Sequence, residues 1–438
     1  MIRPLPPLIQ GIALCALLAS GSLWPRDASA AEPTDRACIG SYRLSDGRDV
    51  DLAVSDESHY RWRMKDGTSG KLSGAARGAW VSTLGWTDRA DGHRVDLRDC
   101  ARGRIAFDRI AGERLKFEVV ETSFQAGDAT LAGRLVLPAG DDAVPIVVLV
   151  HGSERDSARD YYALQRQFPS EGIGAFVYDK RGTGASTGRY TQNFLTLAND
   201  AIAALREARR LAGTRAGRMG YQAGSQGGWV APLAARIEPA DFVIVSFGLA
   251  VSPLDEDREA IALDMSRRGY GPDVVAKAME VADATAVVLQ SDFREGYDGL
   301  AKIKQRYGAE PWFKFVRGNV SFFILEKPEA ELRTVGPTLF PGTPLDYDAM
   351  PVLRNLRVPQ LWLLGGEDID APSAETVRRL TGLAQAGAPI RHTVFPHAEH
   401  GMYEFEVGAD GSRLSTRQPA DYFPQMRDFI KSGSVQPR

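Results

Sequence analysis

The chain has 438 residues and a formal net charge of -3, with 25% charged and 44% hydrophobic residues. That length exceeds what one core usually organises, so more than one folded unit is expected. The near-balanced charge supplies no basic field, which excludes nucleic acid and anionic lipid as expected partners.

The amino terminus reads as an export signal. Arg3 precedes an apolar run from Leu8 to Ala19, and the small residues Ala28, Ser29 and Ala30 follow. The run is shorter than the roughly 18 residues a spanning helix needs, so cleavage near Ala30 or Ala31 is expected rather than a membrane anchor. Residues 1–31 are therefore assigned to a signal peptide, and the mature chain to the periplasm or the extracellular space. Lipid attachment at Cys15 is disfavoured because Leu14, not a small residue, precedes it. With the signal removed, Cys38 and Cys100 remain, and an oxidising compartment predicts a disulfide between them.

From Cys38 to about Ile110 the apolar residues alternate with period two, as in Val50, Leu52 and Val54. Asp46-Gly47, Asp66-Gly67 and Asp91-Gly92 read as turns between short strands. Residues 37–115 are expected to form a small β-rich module without a catalytic constellation.

Beyond Leu115 apolar strands alternate with helical stretches, which predicts a mostly parallel sheet with helices on both faces. Strands are expected at Ile146–Val150, Ala175–Tyr178, Met219–Gln222 and Phe242–Phe247, and a helix at Phe194–Leu211. Between Ser252 and Pro351 helix-forming stretches such as Asp273–Leu289 and Tyr297–Tyr307 take over. The sheet pattern returns at Gln360–Leu364 and His392–Phe395, before a helical tail around Tyr422–Ile430. The α/β domain is thus expected to span 116–251 and 352–438, with a helical insertion at 252–351.

The strongest chemical signal is Ala223, Gly224, Ser225, Gln226, Gly227 and Gly228 between a strand and a helix. Such a nucleophile elbow holds its serine in a strained turn, and small neighbours let strand and helix approach closely. A serine hydroxyl needs a base, and among six histidines His400 and His397 stand in one loop after a strand. The acid should lie between the serine and the histidine in chain order, in the loop after a strand. Leu361–Leu364 supplies that strand and Asp368 is chosen, with Asp370 the competitor. Backbone amides for a developing oxyanion are expected from Gln226, next to the serine, and from Ser153 in the loop His151-Gly152-Ser153. His151 itself is read as a loop-shaping residue.

These residues, with the run Asp179, Arg181, Gly182, Gly184 and Ser186, the segment from Pro359 to Pro372 and the loop from Pro396 to Gly401, resemble the α/β-hydrolase superfamily. Within it the chain is similar to bacterial esterases and acyl peptidases related to the prolyl oligopeptidase group. The resemblance covers about Thr130 to Phe429; one departure is Ala223, where the family usually has glycine. It implies the α/β-hydrolase fold, favours His400 over His397 through the His400-Gly401 step, and makes the insertion a cap that helps select substrate.

The expected activity is hydrolysis of a small-molecule carboxylic ester through a Ser225-His400-Asp368 triad and an acyl-enzyme. Cleavage of peptides or of acyl or aminoacyl amides is the alternative within catalysis, and a non-catalytic binding protein retaining the fold is the alternative outside it. No cofactor or metal is called for, since no ligand cluster stands out and Gly182–Gly188 lacks the spacing and lysine of a phosphate loop.

Overall fold

The computed structural model describes residues 35–56, 58–74 and 78–433. Residues 1–31, which the sequence suggests are a signal peptide, lie outside them. Two compact units are present, one of residues up to Leu115 with Tyr403–Pro424, the other of Lys116–Met402 with the residues from Gln425.

In the first unit eight short strands follow one another as antiparallel neighbours: β1 (Gly40–Leu44), β2 (Asp49–Asp56), β3 (His59–Met64), β4 (Ser69–Gly74), β5 (Ala79–Leu84), β6 (Ala90–Asp96), β7 (Arg104–Phe107) and β8 (Ile110–Arg114). Pairing of β8 back onto β1, Tyr42 opposite Arg114, closes them into a barrel and removes both sheet edges. Its interior is filled: Tyr42, Leu44, Leu52, Tyr60, Trp62, Leu72 and Phe107 are fully or almost fully buried, and Trp62 Nε1 donates to Ser82 Oγ at 2.8 Å. Cys38 and Cys100 form the disulfide across a separation of 62 residues. Asp46-Gly47 and Asp66-Gly67 are turns, with both glycines at positive φ. Asp91-Gly92 is not. It lies inside β6, where the register against β5 shifts, and Gly92 takes its positive φ of 85° there. A hairpin of β17 (Glu404–Val407) and β18 (Arg413–Arg417) belongs to the same unit; Gly85 faces the Thr416 carbonyl, and Trp86 N–H donates to the Ser415 carbonyl at 2.8 Å.

The second unit is built on eight strands. They are β9 (Phe117–Ala126), β10 (Ala129–Pro138), β11 (Val144–Val150), β12 (Gly174–Tyr178), β13 (Ala216–Gly224), β14 (Phe242–Ser246), β15 (Gln360–Gly365) and β16 (Ile390–Phe395). Their order across the sheet is β9-β10-β12-β11-β13-β14-β15-β16, antiparallel at the β9 edge and parallel from β12 onward. Strands such as β12, β14 and β15 are buried at every residue, because helices cover them. Helix Phe194–Ala212 buries Phe194, Leu197, Ala198, Ala201, Ile202 and Leu205 at helical spacing, and Asn193 caps it by accepting from Thr196 N–H at 2.9 Å. Helices Gly227–Ile237 and Ala374–Gln385 also pack on the sheet. Between β14 and β15 the chain is helical, from Pro253–Arg267 through Pro272–Gln290 and Tyr297–Tyr307 to Met350–Asn355. Among the described residues no helix is long and apolar enough to cross a membrane.

Candidate active site

Strand β13 ends in the turn that carries Ser225, whose φ is +50°. A non-glycine residue in that region costs about 1–3 kcal/mol, so the surrounding structure must impose it. Ser225 N–H is tied to the Ser246 carbonyl at 3.1 Å, and Gly228 N–H closes on the Ser225 carbonyl at 2.7 Å. A Cβ on Gly227 would stand 2.8 Å from the Val150 carbonyl, and one on Gly228 2.9 Å from Gly248 Cα. Both positions therefore exclude side chains. Ala223, by contrast, is fully buried with its methyl accommodated beside Gly227.

The loops after β15 and β16 bring the other two groups to the serine. Gly365 and Gly366 let those loops touch: a Cβ there would lie 2.5 Å from the Ala398 carbonyl and 2.9 Å from Pro396 Cα. Gly366 and Glu367 donate backbone hydrogen bonds across to Phe395 and Ala398, at 2.8 and 3.0 Å. Asp368 is 2% exposed; its Oδ1 accepts from Asp370 N–H at 3.0 Å and Ala371 N–H at 2.7 Å, which leaves Oδ2 for His400 Nδ1 at 2.9 Å. His400 Nε2 is 3.1 Å from Ser225 Oγ. With the Nδ1 proton donated to Asp368, Nε2 is free to accept from the serine hydroxyl. Burial works against a charged His400, but the charge and hydrogen bond of Asp368, with Asp370 and Glu256 beyond, outweigh it and hold the imidazole above the ordinary histidine range. The ring of Phe247 stands edge-on to the imidazole, 5.0 Å between centroids.

The competitors stand elsewhere. His397 is exposed, and Asp370 contributes its carbonyl to Asn319 and its N–H to Asp368. His392 is a half-buried strand residue. His151 is buried, and burial pulls it down to about 4, so it is neutral and packs edge-on against Tyr162 and Tyr178.

The loop after β11 passes close to the serine: a Cβ on Gly152 would lie 3.2 Å from Ser225 Cβ. Neither the Ser153 nor the Gln226 backbone N–H donates to a protein acceptor among the described residues. The sequence did not single out Glu256, at the start of helix Pro253–Arg267. Its Oε1 accepts from Asn319 Nδ2 at 3.1 Å, and it shares electrostatic contact with His400, Asp368 and Asp370. Burial, opposed by His400, holds its carboxyl well above the usual range. As one of 56 acidic residues it carries no local signal. Among the described residues no group of His, Cys, Asp and Glu is arranged to hold a metal.

Residues 141–256 match the family described as serine aminopeptidase, S33. No curated protein matches the chain. Among solved structures it is similar to an esterase of Pyrococcus furiosus, at 15% identity and TM-score 0.45, covering 72% of this chain and 91% of that one. It is likewise similar to the acylaminoacyl peptidase of Pyrococcus horikoshii, at 15% identity and TM-score 0.45, covering 89% and 56%. A proline iminopeptidase of Mycobacterium smegmatis is similar at 17% identity and TM-score 0.43, covering 72% and 98%. The strand order of the second unit is that of the α/β-hydrolase fold, and within it residues 141–256 match a family of hydrolases.

Proposed function

We propose that the chain is a serine hydrolase that cleaves carboxylic esters through an acyl-enzyme. The observation that carries this is the continuous chain of contacts from Ser225 Oγ through His400 to Asp368, at 3.1 and 2.9 Å. Ser225 Oγ attacks the ester carbonyl as His400 Nε2 takes its proton; Asp368 keeps the other imidazole nitrogen protonated and steadies the imidazolium. The amides of Gln226 and Ser153 stabilise the oxyanion. His400 then returns the proton to the departing alcohol, and water, deprotonated by the same imidazole, releases the acid. In this reading residues 252–351 act as a cap over the site and residues 1–31 direct export before removal.

A short-chain acyl ester panel tests it on the wild type and on Ser225→Ala, with fluorophosphonate labelling in parallel. The variant should lose about a millionfold in kcat and all labelling. Ester turnover by Ser225→Ala at the wild-type rate would remove the serine from the reaction.

Glu256 favours a second reading, an aminoacyl amide substrate. A carboxyl within electrostatic reach of the imidazole could meet a substrate ammonium, which would draw it into its ionised form. Glu256→Gln should then raise KM for an aminoacyl amide at least tenfold and leave an uncharged ester within about threefold, since a buried ion pair lost on one side costs several kcal/mol. Equal effects on both substrates would leave the ester reading alone.

A further inference from the structure

The loop that follows β12 places a lysine where the mechanism above has no use for it. Lys180 is 2% exposed, yet it carries an ammonium whose desolvation costs several kcal/mol. Its neighbours fix it from both sides. Asp179, fully buried, accepts from Ser157 Oγ at 2.7 Å, Arg159 N–H at 3.2 Å and Ala185 N–H at 3.0 Å. Arg181 grips Asp200 with two nitrogens at 2.7 Å each and Asp128 with a third at 2.8 Å. Glycine is required in the same turn, because a Cβ on Gly182 would come within 2.2 Å of Tyr190 N and one on Gly184 within 2.3 Å of Asp179 Oδ2.

So anchored, Lys180 Nζ donates to the Gly152 carbonyl at 2.6 Å, and Tyr190 OH donates to the Ser153 carbonyl at 2.6 Å. These two carbonyls flank the Ser153 residue. A trans peptide is planar, with its C=O and N–H pointing in opposite directions. Holding the Gly152 oxygen from the side of the β12 loop therefore aims the Ser153 N–H the other way. Holding the Ser153 oxygen fixes the next peptide plane, so the residue between cannot rotate. The two clamps support each other: Lys180 Nζ lies 4.8 Å from the centre of the Tyr190 ring, and the Arg155 guanidinium covers that ring at 4.0 Å. Gln192 Nε2 donates to the Tyr190 hydroxyl at 3.1 Å.

We propose that Lys180 and Tyr190 are positioning residues that orient the Ser153 amide as an oxyanion donor by clamping the carbonyls on either side of it. The inference rests on the acyl-transfer reading above. Three charged or titratable neighbours bear on the ammonium: Glu154 favours its charge, Arg155 opposes it, and buried His151 is neutral beside it. Glu154 is itself held by Tyr162 OH, so it does not draw Lys180 off the carbonyl in a simple ion pair.

The experiment measures kcat and KM on a short acyl ester for the wild type, Lys180→Met, Lys180→Arg and Tyr190→Phe. The inhibition constant of a trifluoromethyl ketone, whose adduct oxygen sits where the oxyanion forms, is measured beside them. Loss of one oxyanion donor costs about 10²–10³ in kcat, and a loosened donor part of that. Lys180→Met is expected to lose about 10- to 100-fold in kcat, keep KM within about threefold, and weaken the ketone by the same factor as kcat. Lys180→Arg should recover part of the loss. Wild-type kcat in Lys180→Met overturns the proposal, as does a loss confined to KM. If Lys180→Met does not fold, Tyr190→Phe decides: a fall of several-fold or more in kcat with parallel weakening of the ketone supports the clamp, and unchanged kcat overturns it. A wild type inert toward ester and fluorophosphonate alike brings down the acyl-transfer reading and the clamp with it, whereas an active wild type matched by its variants brings down the clamp alone.

Discussion

Asn319 donates its side-chain amide to the backbone carbonyl of Asp370 at 2.6 Å. The same amide reaches Glu256 at 3.1 Å, so one side chain in a turn between helices of the insertion holds both the loop of Asp368 and Asp370 and the Glu256 carboxyl. Replacing Asn319 by Ala removes both bonds and leaves half-buried acceptors unsatisfied, at a cost of about 1–3 kcal/mol. The expected outcome is a melting temperature lower by a few degrees and a several-fold loss in kcat/KM, read from a thermal melt and ester kinetics on the same preparation. An unchanged pair of values would mean that water replaces the amide without loss.

Asp368 and Asp370 separate cleanly in function if Asp368 alone steadies the imidazole. Asp368→Asn keeps the shape but offers His400 the wrong tautomer, so kcat should fall about 10⁴-fold. Asp370→Asn retains the backbone contacts and should stay within about threefold. Comparable losses in both variants would return the acid assignment to an open choice.

The pH dependence follows from the direction in which His400 is shifted. Only neutral imidazole accepts the serine proton, and Asp368 stabilises the charged form. The imidazole thus loses its proton later on the pH scale than a free histidine. The acidic limb of kcat/KM should therefore lie above pH 6.5, the ordinary value for histidine. A rate profile with its limb at or below that point would contradict the electrostatic account.

The bond between Cys38 and Cys100 closes a loop with a separation of 62 residues. In the chain-entropy model such a loop stabilises the barrel by roughly 4 kcal/mol. Denaturant unfolding followed by fluorescence should show the first unit melting earlier in reductant or in Cys100→Ser. Neither cysteine should react with a thiol reagent before reduction.

Local motifs explain what could be read from the sequence. The Ser225 turn, the glycines at 365 and 366 and the His400-Gly401 step each impose backbone geometry within a few residues, so their chemistry leaves a short-range trace. The run Ile146–Val150 was legible for the same kind of reason, as a continuous apolar strand, and the structure extends it to Val144. Closure of the barrel was not legible, because pairing of β1 with β8 joins residues about seventy positions apart and alternation is the same in an open sheet. Asp91-Gly92 has turn composition, but the positive φ it permits serves a bulge just as well. The contact from Lys180 to Gly152 runs from a side chain to a carbonyl 28 residues away, and no periodicity records it.

Hairpin β17–β18 sets the order in which this protein can be finished during synthesis. The ribosome completes the eight barrel strands by residue 114, but Gly67 and Gly85 meet their backbone neighbours only when residues 415–418 emerge, after the whole sheet of the second unit. Residues 35–115 are consequently an unfinished piece at the moment they leave the tunnel. A fragment cut at Leu115 exposes the same surface permanently, whereas one that appends residues 403–424 through a short linker restores the partner it lacks.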